Sequence, residues 1–267
     1  MLIEVLSDYP GSQLLRTEEL IENHRRSAAA HASAVAELRL RHAASRRWWQ
    51  WTKRLAQRRA ARALEARAPV IDPGVHERRA KQEAGVDAEE RLTRALEQLS
   101  DEWLVFRGYA NRRGEIDHLL VGPAGIWAVE VKGRAVCVHV VGDHWSFEKF
   151  DRYGNLRGRG VLTDGGGRSW GRQVGEPAAE LREFLASRGF DQPVRTAVAV
   201  LHERASLGTF DSSSVDVISI GTEYLMARID TRTTSLDARS RDRIAALVRR
   251  DHAFHARRRR MRRGRSE

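Results

Sequence analysis

The chain has 267 residues, 31% of them charged and 41% hydrophobic, with a formal net charge of +11. That length suits one or two domains, and a segment of about 150 residues can bury a core of its own. A single cysteine, Cys137, excludes an intrachain disulfide and a zinc cluster of the CxxC kind, and no run approaches the ~18 apolar residues of a membrane span.

The charge is unevenly spread. Residues 1–24 are acidic, with one Arg against five acids. Residues 25–67 hold 12 Lys and Arg against 2 acids, and residues 249–267 hold 9 Arg against 2 acids, whereas the centre is nearly neutral. Arginine dominates both flanks, and its planar fork suits phosphate, so a nucleic-acid partner is expected; a solvated charged face is the plainer alternative. The start, Met1-Leu2-Ile3-Glu4, lacks the basic residues and apolar run of a signal peptide. A reducing compartment fits, with Cys137 a small buried hydrophobe between Val136 and Val138.

No Pro or Gly falls between Gly11 and Pro69, and the stretch is rich in Ala, Arg, Leu and Glu, which are good helix formers. One long helix or a helical pair is expected. Leu14, Ile21, Ala28 and Val35 recur every seven residues. The positions three and four along are poor, which makes a weak seam for self-association or a protein partner. Trp48, Trp49 and Trp51 sit among arginines, where they could pack on a globular domain, stack on bases or rest on a membrane surface. Residues 69–74 (Pro-Val-Ile-Asp-Pro-Gly) break the pattern. The segmentation is a basic helical arm over 1–68, a linker over 69–82, a globular domain over 83–235, and a C-terminal helix with an arginine-rich tail over 236–267.

Within the domain a helix is expected over residues 83–99, with Leu92, Ala95, Leu96 and Leu99 inward. Strands follow at 103–107, 115–122, 126–132 and 136–141, a long polar loop at 148–169, a helix at 170–188, and strands at 194–201 and 215–220. This order indicates an α/β fold, a mixed sheet flanked by helices.

The chemistry concentrates in one hairpin. Two strands flank Gly122-Pro123-Ala124-Gly125, and a turn symmetric about its centre pairs residues whose numbers sum to 247. Asp117 then opposes Glu130, and Glu115 opposes Lys132. Period-two alternation puts all four on one face, with Cβ atoms of direct partners ~4.5–5.5 Å apart. Ile116, His118, Leu120, Trp127, Val129 and Val131 fall on the other, packing face. Opposed carboxylates repel unless a cation lies between them. Mg²⁺ (or Mn²⁺) fits, since it takes one or two carboxylates plus waters and substrate phosphate. Lys132 could orient an attacking water or stabilise developing charge; alternatively it only forms salt bridges with Glu115 and Glu130.

The run from Gly114 to Lys132 (GEIDHLLVGPAGIWAVEVK) resembles the nuclease-related domain, NERD, a branch of the PD-(D/E)XK nuclease superfamily. The resemblance extends from about Ala84 to Leu185 and includes Gly85-Val86-Asp87-Ala88-Glu89, where Ala88 replaces the family's second glycine. It implies a restriction-endonuclease-like fold, a cytoplasmic location, DNA as substrate, and Glu89 as a helix carboxylate facing the site, with Glu90 adjacent to it. Gln173 resembles the family's later glutamine. The family's preceding asparagine-proline is missing here, and Pro177, four residues on, would kink or start a helix. Gly133 stands where the family often has asparagine. His118, next to Asp117, points to the packing face and is expected to be structural. Gly165-Gly166-Gly167-Arg168 could cradle a phosphate, but without a strand-then-helix setting it reads as a loop.

The expected activity is metal-dependent phosphodiester hydrolysis, with Asp117, Glu130, Lys132, Glu89 and Gln173 as catalytic candidates and Asp117 and Glu130 as metal ligands. The alternatives are an inactive nucleic-acid-binding module on the same fold, or a helical interaction protein whose partner docks on residues 14–68.

Overall fold

The computed structural model describes residues 1–44, 51–231 and 235–263. Trp48, Trp49 and the side chain of Trp51 lie outside the described residues. The chain divides into two compact units, Gly11–Glu83 and a second made of Met1–Pro10 with Ala84–Glu267.

In the first unit the glycine- and proline-free stretch forms a pair of helices, α1 (Tyr9–Ala44) and α2 (Trp51–Glu65), followed by the start of α3 (Val75–Leu96). The seven-residue stripe faces inward: Leu14, Ile21 and Ala28 are half-buried and Val35 is buried. The Leu64 carbonyl lies 2.7 Å from His31 Nε2, and Arg39 pairs with Glu65 at 2.7 Å, both linking α1 to α2. Asp72 closes the break before α3, accepting from the Gly74 amide at 2.9 Å and from Arg78 at 2.6 Å. Residues 75–82, expected as linker, are therefore already helical. They carry too few apolar side chains to show a stripe, but their backbone propensity is good.

In the second unit the described residues form ten strands in two sheets. They are β1 (Leu2–Val5), β2 (Leu104–Ala110), β3 (Glu115–Gly122), β4 (Gly125–Lys132), β5 (Cys137–Gly142), β6 (His144–Phe150), β7 (Leu156–Val161), β8 (Val194–Val200), β9 (Ser206–Ser213) and β10 (Val217–Ile220). The first sheet runs β1-β2-β3-β4-β8-β10 and the second β7-β6-β5-β9. In the first, β2-β3-β4 are antiparallel, while β1, β8 and β10 join in parallel. The fold is the expected mixed α/β architecture.

The two faces of the first sheet carry separate cores. One packs Leu120, Trp127 and Val129 against Ala88, Leu92 and Leu96 of α3. The other packs Leu119, Val121, Ile126 and Ala128 against Val174, Leu181 and Leu185 of α4 (Trp170–Ala186), and against Ile244 and Val248 of α6 (Ala238–Arg263). Each fully buried Leu or Ile contributes roughly 1.5–3 kcal/mol.

Several elements correct the sequence reading. Residues 2–5, placed in the arm, form the parallel edge strand β1 of the sheet. Residues 148–169, expected as a loop, include the end of β6 and all of β7, an antiparallel pair. β7 is largely solvent-exposed, so backbone pairing holds it and no apolar alternation marks it. The same holds for β9. A short helix, α5 (Glu223–Ile229), was also unmarked; it buries Leu225 and Ile229. Cys137 is half-buried rather than buried.

Candidate functional site

The tight hairpin sets the site. Its register runs from Gly122↔Gly125 to His118↔Val129, and each pair sums to 247 as the turn symmetry requires. Gly122 is obligatory, because a Cβ there would lie 2.1 Å from the Trp103 ring.

The ladder between β3 and β4 stops one residue short of Asp117. Asp117 does not take Glu130 as a regular partner; its Oδ2 accepts the Val131 amide at 2.7 Å. The cause lies in the neighbouring strand. Gly108 of β2, level with Asp117, has φ +68°, and a Cβ there would meet the Ser7 carbonyl at 2.2 Å. Alternation breaks at this level in both strands. Tyr109 and Ile116 pack with Phe106 and Leu119, on the α4 and α6 side. Ile116, expected on the face of His118 and Leu120, is therefore on the other. A break of alternation next to a positive-φ glycine is bulge-like, and such features re-aim side chains beside functional sites.

At this splayed end both faces of the sheet contribute. Glu130 and Lys132 project to the α4 side, where Lys132 Nζ donates to Glu130 Oε1 at 2.5 Å and to Gln173 Oε1 at 2.9 Å. Gln173 lies in the first turn of α4, capped by Ser169, whose hydroxyl accepts the Arg172 amide at 3.2 Å. Its amide nitrogen donates to the Arg168 carbonyl at 3.0 Å, which fixes the direction of its oxygen. Pro177 sits inside α4 without ending it, and its carbonyl accepts from Asn111 at 2.8 Å. The Lys132 ammonium also lies 5.6 Å from the Trp170 ring centroid.

From the other face α3 brings Glu89. It is buried, and Arg107 Nη2 lies 3.5 Å from its Oε2. Glu90 points outward to Arg94, so the helix turns Glu89, not its neighbour, to the sheet. Ala88 and Gly133, two of the departures from the NERD pattern, meet here. A Cβ on Gly133 would lie 3.1 Å from Ala88 Cβ and 2.1 Å from the Ala84 carbonyl. The chain leaving β4 thus presses on α3, and a side chain at position 133 has no room.

Charge balance is uneven. Three carboxylates, Glu89, Asp117 and Glu130, share two cations, Lys132 and Arg107. Burial, with the charges of Glu130 and Glu89, pushes the Asp117 carboxyl well above the usual range, against the pull of Lys132 and the Val131 amide. Burial also lifts Glu89 to about 7, with Arg107 opposing. Burial works against the Lys132 ammonium, but Glu130 and Asp117 outweigh it and hold its pKa above the ordinary value. Among the described residues no group of three or more His, Cys, Asp and Glu side chains gathers tightly enough to cage an ion.

Glu115 does not meet Lys132. It opposes Ala110, and its carboxylate lies 3.6 Å from Arg259 of α6. His118 is fully buried on the α3 face. Thr93 Oγ1 donates to the Glu89 carbonyl at 2.8 Å, so His118 Nε2 donates to Thr93 at 2.9 Å. Burial lowers its pKa to about 3, which keeps the ring neutral. It braces α3 rather than facing the carboxylates. Gly166 and Arg168 are tied by their amides to Asp164, so a carboxylate occupies the turn where a phosphate was considered. Arg107 and Trp170 were not found by sequence reasoning, because each reaches the site by tertiary packing.

Residues 84–201 match the family model of the nuclease-related domain. Over that segment, under half of its length, the chain is similar to the nuclease-related domain family, NERD. NERD is a nuclease-like family, and the matched segment contains Glu89, Asp117, Glu130, Lys132 and Gln173, from the α3 turn beside Gly133 to the end of β8. β1, β9, β10, α5, α6 and the arm lie outside the NERD match. No curated protein and no solved structure shows a match. No helix among the described residues is long and apolar enough to cross a membrane.

Proposed function

We propose that this NERD-like domain is a divalent-metal-dependent nuclease acting on DNA, with Asp117 and Glu130 as metal ligands. The observation that carries the reading is the meeting of Asp117 and Glu130 beside Lys132 where the hairpin splays, with the Glu89 charge acting on Asp117 from α3. Buried carboxylates in excess over their cations are costly, and a divalent ion would offset that cost. The donors fit Mg²⁺ or Mn²⁺, which need only one or two carboxylates when phosphate and water supply the rest.

Bound there, such an ion would polarise a phosphodiester and lower the pKa of a coordinated water. Lys132, held by Glu130 and Gln173, presents its ammonium to the reacting phosphate and stabilises the charge that develops on it. Gln173 orients Lys132. Glu89, poised near neutrality, can hold or release a proton beside Asp117. Asp117 is anchored by the Val131 amide and cannot swing away. The basic residues of the arm supply phosphate contacts without sequence readout.

The test is cleavage of single- and double-stranded DNA and RNA, with and without Mg²⁺ or Mn²⁺. Metal-dependent cleavage of DNA that is lost in Lys132→Ala is the expected result. Cleavage unchanged in that variant would leave a nucleic-acid-binding module in place of the enzyme.

A further inference from the structure

The second sheet bears a cleft of about 760 Å³, lined by Lys149, Phe150, Arg152, Tyr153, Arg157 and Arg204 among others. Its charge is one-sided. Asp151 is the one acid lining it, and Asp151 is already engaged by Arg157 at 2.7 Å and by the Tyr153 and Asn155 amides. Among the described residues, Lys149, Arg152 and Arg204 have no carboxylate partner, so three cations face the cleft unmatched.

Two rings stand beside them. Tyr153 is 71% exposed and Phe150 42%. The Arg152 guanidinium lies 4.6 Å from the Tyr153 ring centroid and donates to its hydroxyl, which steadies the ring on an otherwise open turn. Exposed aromatics interleaved with unpaired cations are what a single strand needs: phosphates take the charge, and unpaired bases stack on the rings. A duplex keeps its base faces covered and can use only the charge.

The cleft also lies close along the chain to the candidate site. Ala135 lines it, three residues after Lys132, so their Cα atoms are at most roughly 11 Å apart. Between them Arg134 lies 4.8 Å from the Phe147 ring centroid and 6.0 Å from that of Trp170, the same ring that Lys132 approaches.

We infer that this cleft is a subsite for an unpaired strand of nucleic acid, leading it to Lys132. The direction of travel rests on the nuclease reading; the binding does not. The experiment uses the full chain in EDTA, measuring affinity for a fluorescent oligothymidylate and for a duplex of equal length. Replacing both rings, Phe150→Ala with Tyr153→Ala, should weaken oligothymidylate binding by about tenfold or more, with duplex affinity unchanged within about twofold. Tyr153→Phe, which keeps the ring, should bind as the wild type does. Lys149→Glu with Arg204→Glu should lower the log–log salt slope on the single strand by roughly 1.4, at about 0.7 per phosphate contact. Wild-type single-strand affinity in the double ring variant, or an equal loss for both substrates, would overturn the inference. If the ring variant loses single-strand affinity selectively but the wild type cleaves nothing with any metal, the nuclease reading fails and the subsite stands.

Discussion

Two basic segments look alike in composition and are used differently. In the arm, α1 and α2 pair some arginines internally, such as Arg26 with Glu22 and Arg39 with Glu65, and leave Arg25, Arg58, Arg59 and Arg62 without a carboxylate partner among the described residues. In α6 the first part of the run is structural. Arg249 pairs with Glu4 at 2.7 Å, Asp251 accepts the Tyr109 hydroxyl at 2.6 Å, and His252 Nδ1 accepts the Ala110 amide at 3.1 Å. Arg259 donates to the Asn111 and Gly114 carbonyls at 2.9 and 3.0 Å. A run of arginines is therefore not a detachable phosphate-binding arm until its partners are known. Between these anchors Arg250, Arg257 and Arg258 stay exposed.

The largest effect that could break this contrast is a deletion. Removing residues 249–267 should cost several kcal/mol, because it removes the acceptors of the buried Tyr109 hydroxyl proton and the Ala110 amide at about 1–3 kcal/mol each and strips packing from β2. Removing only 260–267 should leave thermal stability nearly unchanged. Equal melting temperatures for the two truncations would show that α6 is a loose tail after all.

Next comes the contrast between cations that hold phosphate and one that acts on it. Lys132→Ala should lower cleavage by roughly 10²–10³-fold, with affinity and salt slope measured in EDTA nearly unchanged and circular dichroism confirming the fold. A fall in affinity matching the fall in rate would place Lys132 with the binding cations.

A smaller effect separates the site by pH. The Glu89 and Asp117 pKa values are raised in the folded state. Their contribution to stability is thus present below the unfolded carboxylate range and is lost as pH rises; for Glu89 the window runs from about 4.5 to about 7. His118 has the opposite sign, since its lowered pKa costs stability as pH falls below its ordinary value of 6.5. The difference in melting temperature between wild type and Glu89→Gln across pH 4.5–7 isolates the carboxylate. In wild type Mg²⁺ should raise the melting temperature at neutral pH, and Asp117→Asn with Glu130→Gln should abolish that shift. A full metal shift in the double variant would move the ion elsewhere.

The mildest test returns to the tail. Removing residues 260–267 should flatten the salt dependence of duplex binding by about 0.9 for each arginine that contacts phosphate, leaving cleavage at low salt detectable. An unchanged slope would assign phosphate binding to the arm and the domain surface.

The hairpin was legible because its causes are local. A two-residue turn bracketed by glycines sets register, register with period-two alternation sets faces, and so Glu130 and Lys132 could be placed together from the sequence alone. The paired helices of the arm were legible for the same reason, an unbroken run of helix formers. Tertiary structure decided the rest. Gly108 breaks alternation because Ser7, a hundred residues earlier in the chain, presses on it, and this turned Ile116 to the other core and left Asp117 bonded to the Val131 amide. The choice of Glu89 over Glu90 depended on how α3 rolls onto Leu120 and Trp127, and the arrival of Gln173 on an intact α4 despite Pro177. β7 and β9 carry no apolar rhythm, because both are largely exposed and backbone pairing, to β6 and β5, holds them without a buried face.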